Sequence, residues 1–239
     1  MRPTKRAARI TGLLYLVVVL SGPFVLLYVP GKLFVPGDAA ATAARILAGE
    51  SLYRAHVVVG VISELFFVAS VVALYRLLKG VNAEVAAAMV LAILIQVPVA
   101  IAGSANQVAA LSLLKGGDLL AGFEPAQRDA LALLLLEFDR KGVYVSEVFW
   151  GLWLLPLAWL VYRSRFLPRL LGVWLAANGL AYLAIAGTGM LVPEHAKRAM
   201  TLATPLLFGE MALMLWLLVV GVRETPASGE AVEDPRPLA

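Results

Sequence analysis

The chain alternates long apolar stretches with short polar breaks. Six stretches reach spanning length, at about 10–29, 56–79, 84–114, 143–162, 169–192 and 201–222. An α-helix needs about 20 mostly apolar residues to cross a hydrocarbon core of roughly 30 Å, so each stretch predicts one transmembrane helix. The breaks carry turn chemistry: Pro30-Gly31-Lys32, Pro36-Gly37-Asp38, Gly80-Val81-Asn82, Lys115-Gly116-Gly117-Asp118 and Val192-Pro193-Glu194-His195. The third stretch holds Pro98, Gly103, Ser104, Asn106 and Gln107, which predicts a kink or an early end.

Two of the connections have helical patterns of their own. The alanine-rich segment after Asp38 offers that aspartate as an N-cap, and the segment 125–138 offers Pro125 at a first helical position. Both read as short amphipathic helices lying on the outer surface or capping the bundle, with ordinary loop helices as the alternative. The fold class that follows is all-α: a polytopic helical bundle of six spans arranged as three hairpins.

Composition supports that class. Of 239 residues, 61% are hydrophobic and 15% charged, and the mean hydropathy is +0.86; a water-soluble domain carries about 25% charged residues. Lipid is therefore the expected partner and the cell membrane the expected location. The net charge of +4 comes from basic residues scattered at loop ends, which argues against nucleic acid. Four basic residues precede the first stretch, and Arg76, Lys79, Arg163, Arg165 and Arg169 sit at the ends of very short connections, which places both termini in the cytoplasm. No small-x-small site precedes Pro30, so the first stretch reads as a retained span. Residues 1–223 form one domain, and the polar, acidic, Pro-rich segment 224–239 reads as a disordered cytoplasmic tail.

The candidate chemistry is a set of acids in apolar surroundings. Glu64, Glu147 and Glu210 each follow Ser or Gly in an even-numbered stretch, and each stretch ends at an arginine, Arg76, Arg163 or Arg223. This pattern suggests three hairpins repeated in parallel about an axis along the membrane normal. All three carboxyls fall in the outer half, about 7–14 Å below the interface by helical rise. Asn106 and Gln107 reach that level from the third stretch, with Gln96 and Asn178 nearer the middle and His56 and Arg54 at the mouth. No lysine or arginine lies deep in a span to pair with these acids. At least one glutamate is then expected to be protonated, hydrogen-bonded to an amide or a second carboxyl. Intramembrane ionisable groups point to ligand or proton handling, although a glutamate can also simply fasten helix to helix.

Other chemistries find little support. There is no cysteine, and the two histidines, His56 and His195, are too few for a zinc or bis-imidazole haem site; no cofactor is expected. A metal held by Glu64, Glu147 and His56 stays open as an alternative. Ser104 lacks a nucleophile elbow, Gly187-Thr188-Gly189 lacks a nucleotide-loop setting, and no span carries a central lysine. Tyr144, Phe149, Trp150, Trp153, Trp159 and Tyr162 read as packing and interface anchors, with a lipid pocket as the alternative.

Four stretches carry a family resemblance: ARITGLLYL at 8–16, VPGDAAATAARILA at 35–48, YRSRFLPRLLGVWLA at 162–176 and FGEMALMLWLLVVGV at 208–222. Together they resemble a family of bacterial and archaeal multi-pass proteins known as domain of unknown function 4386. The resemblance implies a one-domain membrane protein and brings no activity with it. It matches Glu210 directly; where the family often has a charge in the third span, this chain has Ala92 and Gln96. The leading functional reading is a non-enzymatic protein that binds or moves a small cation, proton or amphiphile in an outer polar pocket. Its ligands would be Glu64, Glu147, Glu210, Asn106, Gln107, His56 and Asn178. The alternatives are a lipid-modifying enzyme with a carboxylate base and His56, and an accessory subunit; a homo-oligomer is compatible with each.

Overall fold

A computed structural model describes residues 4–223. Every regular element among them is helical. Six helices are long and apolar enough to cross a membrane: Lys5–Leu33, Glu50–Leu78, Ala83–Lys115, Pro125–Arg163, Arg169–Leu191 and Pro193–Val219. They are called the first to sixth spans below. The segment 224–239, expected to be a disordered tail, lies outside the described residues.

The helix starts follow local chemistry. Thr4 caps the first span through Oγ1, which accepts from the Ala7 N–H at 3.2 Å. Asp38 caps the short helix Ala39–Ala48 as expected, accepting from Ala41 at 2.9 Å. Asn82 does the same for the third span, accepting from Val85 at 2.9 Å. Each cap satisfies an amide that the helix itself leaves free.

Three elements depart from the sequence reading. Segment 125–138 is not a separate helix but the first part of the fourth span, 39 residues without interruption. A capping box of Glu124 and Gln127 with Pro125 in the first turn starts it, and the charged run Glu137–Lys141 is made of good or neutral helix formers. The third span passes through Pro98 and reaches Lys115, so the early end does not occur; in lipid, neighbouring helices can make good the bond a proline removes. The sixth span breaks at Phe208 into Ala196–Leu207 and Gly209–Val219, with Pro205 in the last turn before the break. Proline has no N–H to continue the ladder.

Each span packs on the next along the chain, and the sixth packs back on the first, so the spans close into a ring. Three separate hairpins are not set apart, because the fourth span packs on the fifth about as extensively as on the third. Trp153 of the fourth span fills the centre. Its fully buried ring meets Phe67 edge-on at 5.3 Å and Tyr15 at 6.3 Å, joining fourth, second and first spans.

Close crossings depend on glycine. A Cβ at Gly151 would stand 2.7 Å from the Gly179 carbonyl oxygen, and one at Gly172 would stand 2.7 Å from the Tyr162 nitrogen and 2.8 Å from the Ala158 oxygen. Small residues at such contacts let backbones approach where lipid offers no hydrophobic drive between helices. Gly172→Ala should therefore lower stability in detergent by about 1–3 kcal/mol, since backbone cannot move aside. Gly187→Ala, in the same span with nothing within 4 Å of the new methyl, should leave stability unchanged or raise it by up to about 1 kcal/mol. Thermal unfolding of the two variants checks this, and equal losses would contradict the close crossing.

Candidate functional site

The sixth span resumes at Gly209, which packs against Trp174 and Asn178 and so presents the next residue, Glu210, to the ring interior. Glu210 Oε1 accepts from the Asn178 side-chain amide at 3.0 Å, and Oε2 accepts from the Tyr15 hydroxyl. The Tyr182 side chain lies close to the same carboxylate. Asn178 and Tyr182 are four apart in the fifth span, hence neighbours on one helix face. One carboxylate thus ties together the first, fifth and sixth spans.

The other two glutamates are differently provided. Glu147 is buried, has Tyr182 within electrostatic reach, and its Oε2 has no hydrogen-bond donor among the described residues. Glu64 is half-buried and has the Gln96 side chain in hydrogen-bonding reach, yet Glu64 Oε1 and Gln96 Oε1 both lack a donor. Tyr182 thus relates Glu147 to Glu210, while Glu64 belongs with Gln96 of the third span.

A third polar group lies nearer the end of the ring away from the chain termini. Gln107 donates from Nε2 to Asp139 Oδ2 at 2.7 Å, and the Tyr53 hydroxyl donates to the Gln107 carbonyl oxygen at 2.8 Å. Gly103 leaves room for the Asp139 carboxylate, which a Cβ there would strike. His56 is buried beside Tyr53, ring centroids 6.3 Å apart, and its Nδ1 has no partner among the described residues. Asn106, adjacent to Gln107 in sequence, points about 100° away around the helix and does not join this group.

Levels follow from a rise of about 1.5 Å per residue, counted from the helix ends near the chain termini. Tyr15, Asn178 and Glu210 lie about 14–15 Å in, Gln96, Glu64 and Glu147 about 20–24 Å, and His56, Gln107 and Asp139 about 33–36 Å. The three glutamates do not share one level: Glu210 sits about 7–10 Å nearer the termini than the other two. The polar groups form a ladder running inward from the end that carries the longer connections. Among the described residues no three His, Asp or Glu side chains converge as a metal site would require, so Glu64, Glu147 and His56 do not form one.

A family model described as "Domain of unknown function (DUF4386)" matches residues 10–221. The chain belongs to this family. The match takes in every residue of the three polar groups. No curated protein and no solved structure matches the chain.

Asp139, Tyr15, Tyr53 and Tyr182 are the members of this DUF4386 site that sequence reasoning did not single out. Asp139 stands eight residues before Glu147, two helical turns along one face, a relation hidden while 125–138 was assigned to a separate helix. Tyr15 lies in the ARITGLLYL stretch, where its hydroxyl stands among apolar residues after Arg9 and Thr11. Tyr182 gave no signal beyond its spacing from Asn178.

If one carboxylate serves both Tyr15 and Asn178, removal of the two should not be additive. Tyr15→Phe and Asn178→Ala should each cost about 1–3 kcal/mol. The double variant should deviate from their sum by about 0.5–3 kcal/mol. Unfolding by a denaturing detergent measures the cycle, and strict additivity would show that the shared carboxylate does not couple them.

Proposed function

We propose that this membrane protein binds protons or a small cation within the ring, at the level of Glu64, Glu147 and Gln96. One observation carries the reading. The unpartnered polar atoms in the polar ladder are mainly acceptors: Glu64 Oε1, Gln96 Oε1, Glu147 Oε2 and Asn178 Oδ1, against one indole N–H at Trp153 and one imidazole nitrogen, His56 Nδ1, that can act either way. The Asn178 nitrogen is given to Glu210, which leaves its Oδ1 as the atom without a partner, and Gln96 Oε1 stands without a donor beside Glu64. Buried acceptors without donors are costly. A proton or a cation is what completes such a set, whereas the apolar body of an amphiphile leaves it unsatisfied. Both termini are proposed to be cytoplasmic, on the strength of the basic residues in the short 2–3 and 4–5 connections; the ladder then opens to the outer side.

A second reading, fastening alone, is favoured at Glu210. Its carboxylate is provided with donors from two other spans, so it holds the ring whether or not a ligand is bound. The enzyme reading has less support. His56 stands eight residues from Glu64 on the same helix, about 12 Å along its axis, beyond the reach of a base and its partner.

The test compares Glu64→Gln, Glu147→Gln and Glu210→Gln in detergent, following thermal unfolding against pH and against lithium, sodium, potassium and ammonium. The unchanged chain should gain stability from protons or from one of the cations. Glu64→Gln and Glu147→Gln should each lose at least half of that gain while remaining folded, because glutamine brings its own donor. Glu210→Gln should mainly lower the starting stability, since its amide faces donors. An identical response in all four proteins would sink the proposal.

A further inference from the structure

A second site lies at the opposite end of the ring, outside the polar ladder. The fourth span ends at Arg163, and the connection Ser164-Arg165-Phe166-Leu167-Pro168 turns directly into the fifth span at Arg169. The end of the sixth span returns here: the Arg223 N–H donates to the Phe166 carbonyl oxygen at 3.1 Å. Together they enclose a cleft of about 580 Å³ lined by Ser164, Arg165, Leu167, Pro168, Arg169 and Arg223. A second cleft of about 280 Å³ adjoins it and adds Arg163.

Two independent features give this cleft one chemistry. The first is a concentration of positive charge: among the described residues no ion pair is made by Arg163, Arg165, Arg169 or Arg223. Two of these arginines are held by aromatic faces instead, Arg163 over Trp159 and Arg169 over Tyr162, each at 5.7 Å. Such stacking orients a guanidinium while leaving its N–H fork free for an anion. The second is the start of the fifth span. Its N-cap residue, Pro168, makes no side-chain cap, and no acid lies in the first turn. The Leu171 N–H is taken by the Pro168 carbonyl at 3.1 Å, which leaves the Arg169 and Leu170 amides and the partial positive charge of the helix start for a ligand.

We propose that this cleft binds a phosphate group, carried by an anionic lipid headgroup or by a soluble phosphate compound. Arginine forks match the paired oxygens of a phosphate, and helix N-terminal amides bind the same group. The apolar surface beside the cleft suits the lipid source: Val173, one turn along the helix from Arg169, is 54% exposed and its neighbour on the helix surface, Leu170, is 74% exposed, where acyl chains would lie. A phosphate here would also link the 4–5 connection to Arg223, just beyond the end of the sixth span.

Native mass spectrometry of the full chain, titrated with phosphatidylglycerol and separately with phosphatidylcholine, tests the proposal. The parent should bind phosphatidylglycerol at least about tenfold more tightly. Arg169→Ala and Arg165→Ala/Arg223→Ala should each lose most of that preference, while Arg76→Ala/Lys79→Ala, which removes two charges from the 2–3 connection at the same end, should retain it. Arg169→Lys, the mildest change, should lose part of it through the missing fork and serves if the alanine variants do not fold. Inorganic phosphate at millimolar concentration identifies the source: displacement of lipid in the parent marks a site open to soluble phosphate, and no displacement marks a headgroup site. Equal losses in the cleft variants and the 2–3 control, or no preference in the parent, would overturn the proposal by reducing it to general surface charge.

Discussion

The Glu210 carboxylate closes the ring. Hydrocarbon gives the last span no hydrophobic reason to return to the first, because lipid tails are as apolar as the helix faces they would leave. A carboxylate in those surroundings has a strong reason to find donors. Tyr15 and Asn178 supply them from the two flanking spans, so the cost of the charge becomes a rule about which helices must be neighbours. Trp153 then fills the centre that this closure defines, against Tyr15 and Phe67. The glycine crossings at Gly151 and Gly172 bring the fourth and fifth spans close enough for Tyr182 to face Glu147 and Glu210 together.

The six spans were legible because spanning length is set by the membrane, a constraint that acts on each segment alone. Caps at Asp38 and Asn82 are local too, and Asp38 could be read from its neighbours. What escaped reading depends on more than one segment. Residues 125–138 are amphipathic by composition, and only their continuity with 143–162 shows that Asp139 and Glu147 share a face. Where the resumed helix then aims Glu210 likewise depends on how Gly209 packs against Trp174 and Asn178. Among the site residues, Glu210 and Asn178 prove to be hydrogen-bonded partners, and Gln107 enters a polar group whose other half, Asp139, falls between the segments 125–138 and 143–162. Asn106 shows the limit of reading by level: depth along a helix says nothing about which way a side chain turns.

The repeated glutamates looked equivalent because each follows a small residue and precedes an apolar run to arginine. Their surroundings separate them. Glu210 meets donors from two neighbouring spans, whereas Glu64 and Glu147 each keep an oxygen with none among the described residues. The same residue type therefore does two kinds of work in one ring. Satisfied, it fixes helix order; unsatisfied, it creates a demand that something mobile can meet. The intramembrane glutamates are for this reason not three votes for one function, and a variant at Glu210 probes architecture before it probes binding.

The ladder also has an end. Between the Glu210 level and the chain termini the buried interior is almost wholly apolar, with Leu74, Leu77, Leu78, Met89, Leu157, Leu160, Val161, Leu171, Leu175, Leu213 and Leu217 among the core residues. Two of the polar exceptions are turned back on their own helices, Thr11 donating to the Ala7 carbonyl at 2.9 Å and Ser70 to that of Phe66 at 2.6 Å, and a third, the Trp216 indole N–H, has no partner among the described residues. A proton or cation that reached Glu210 from the far end would meet about 14 Å of aliphatic packing beyond it. Desolvation makes such a barrier impassable to a bare charge in this conformation. On the proposed reading the ring in this form is a one-sided site and not a pore. Passage through it would require the aliphatic half to open, and the side chain standing where the two halves meet is Trp153.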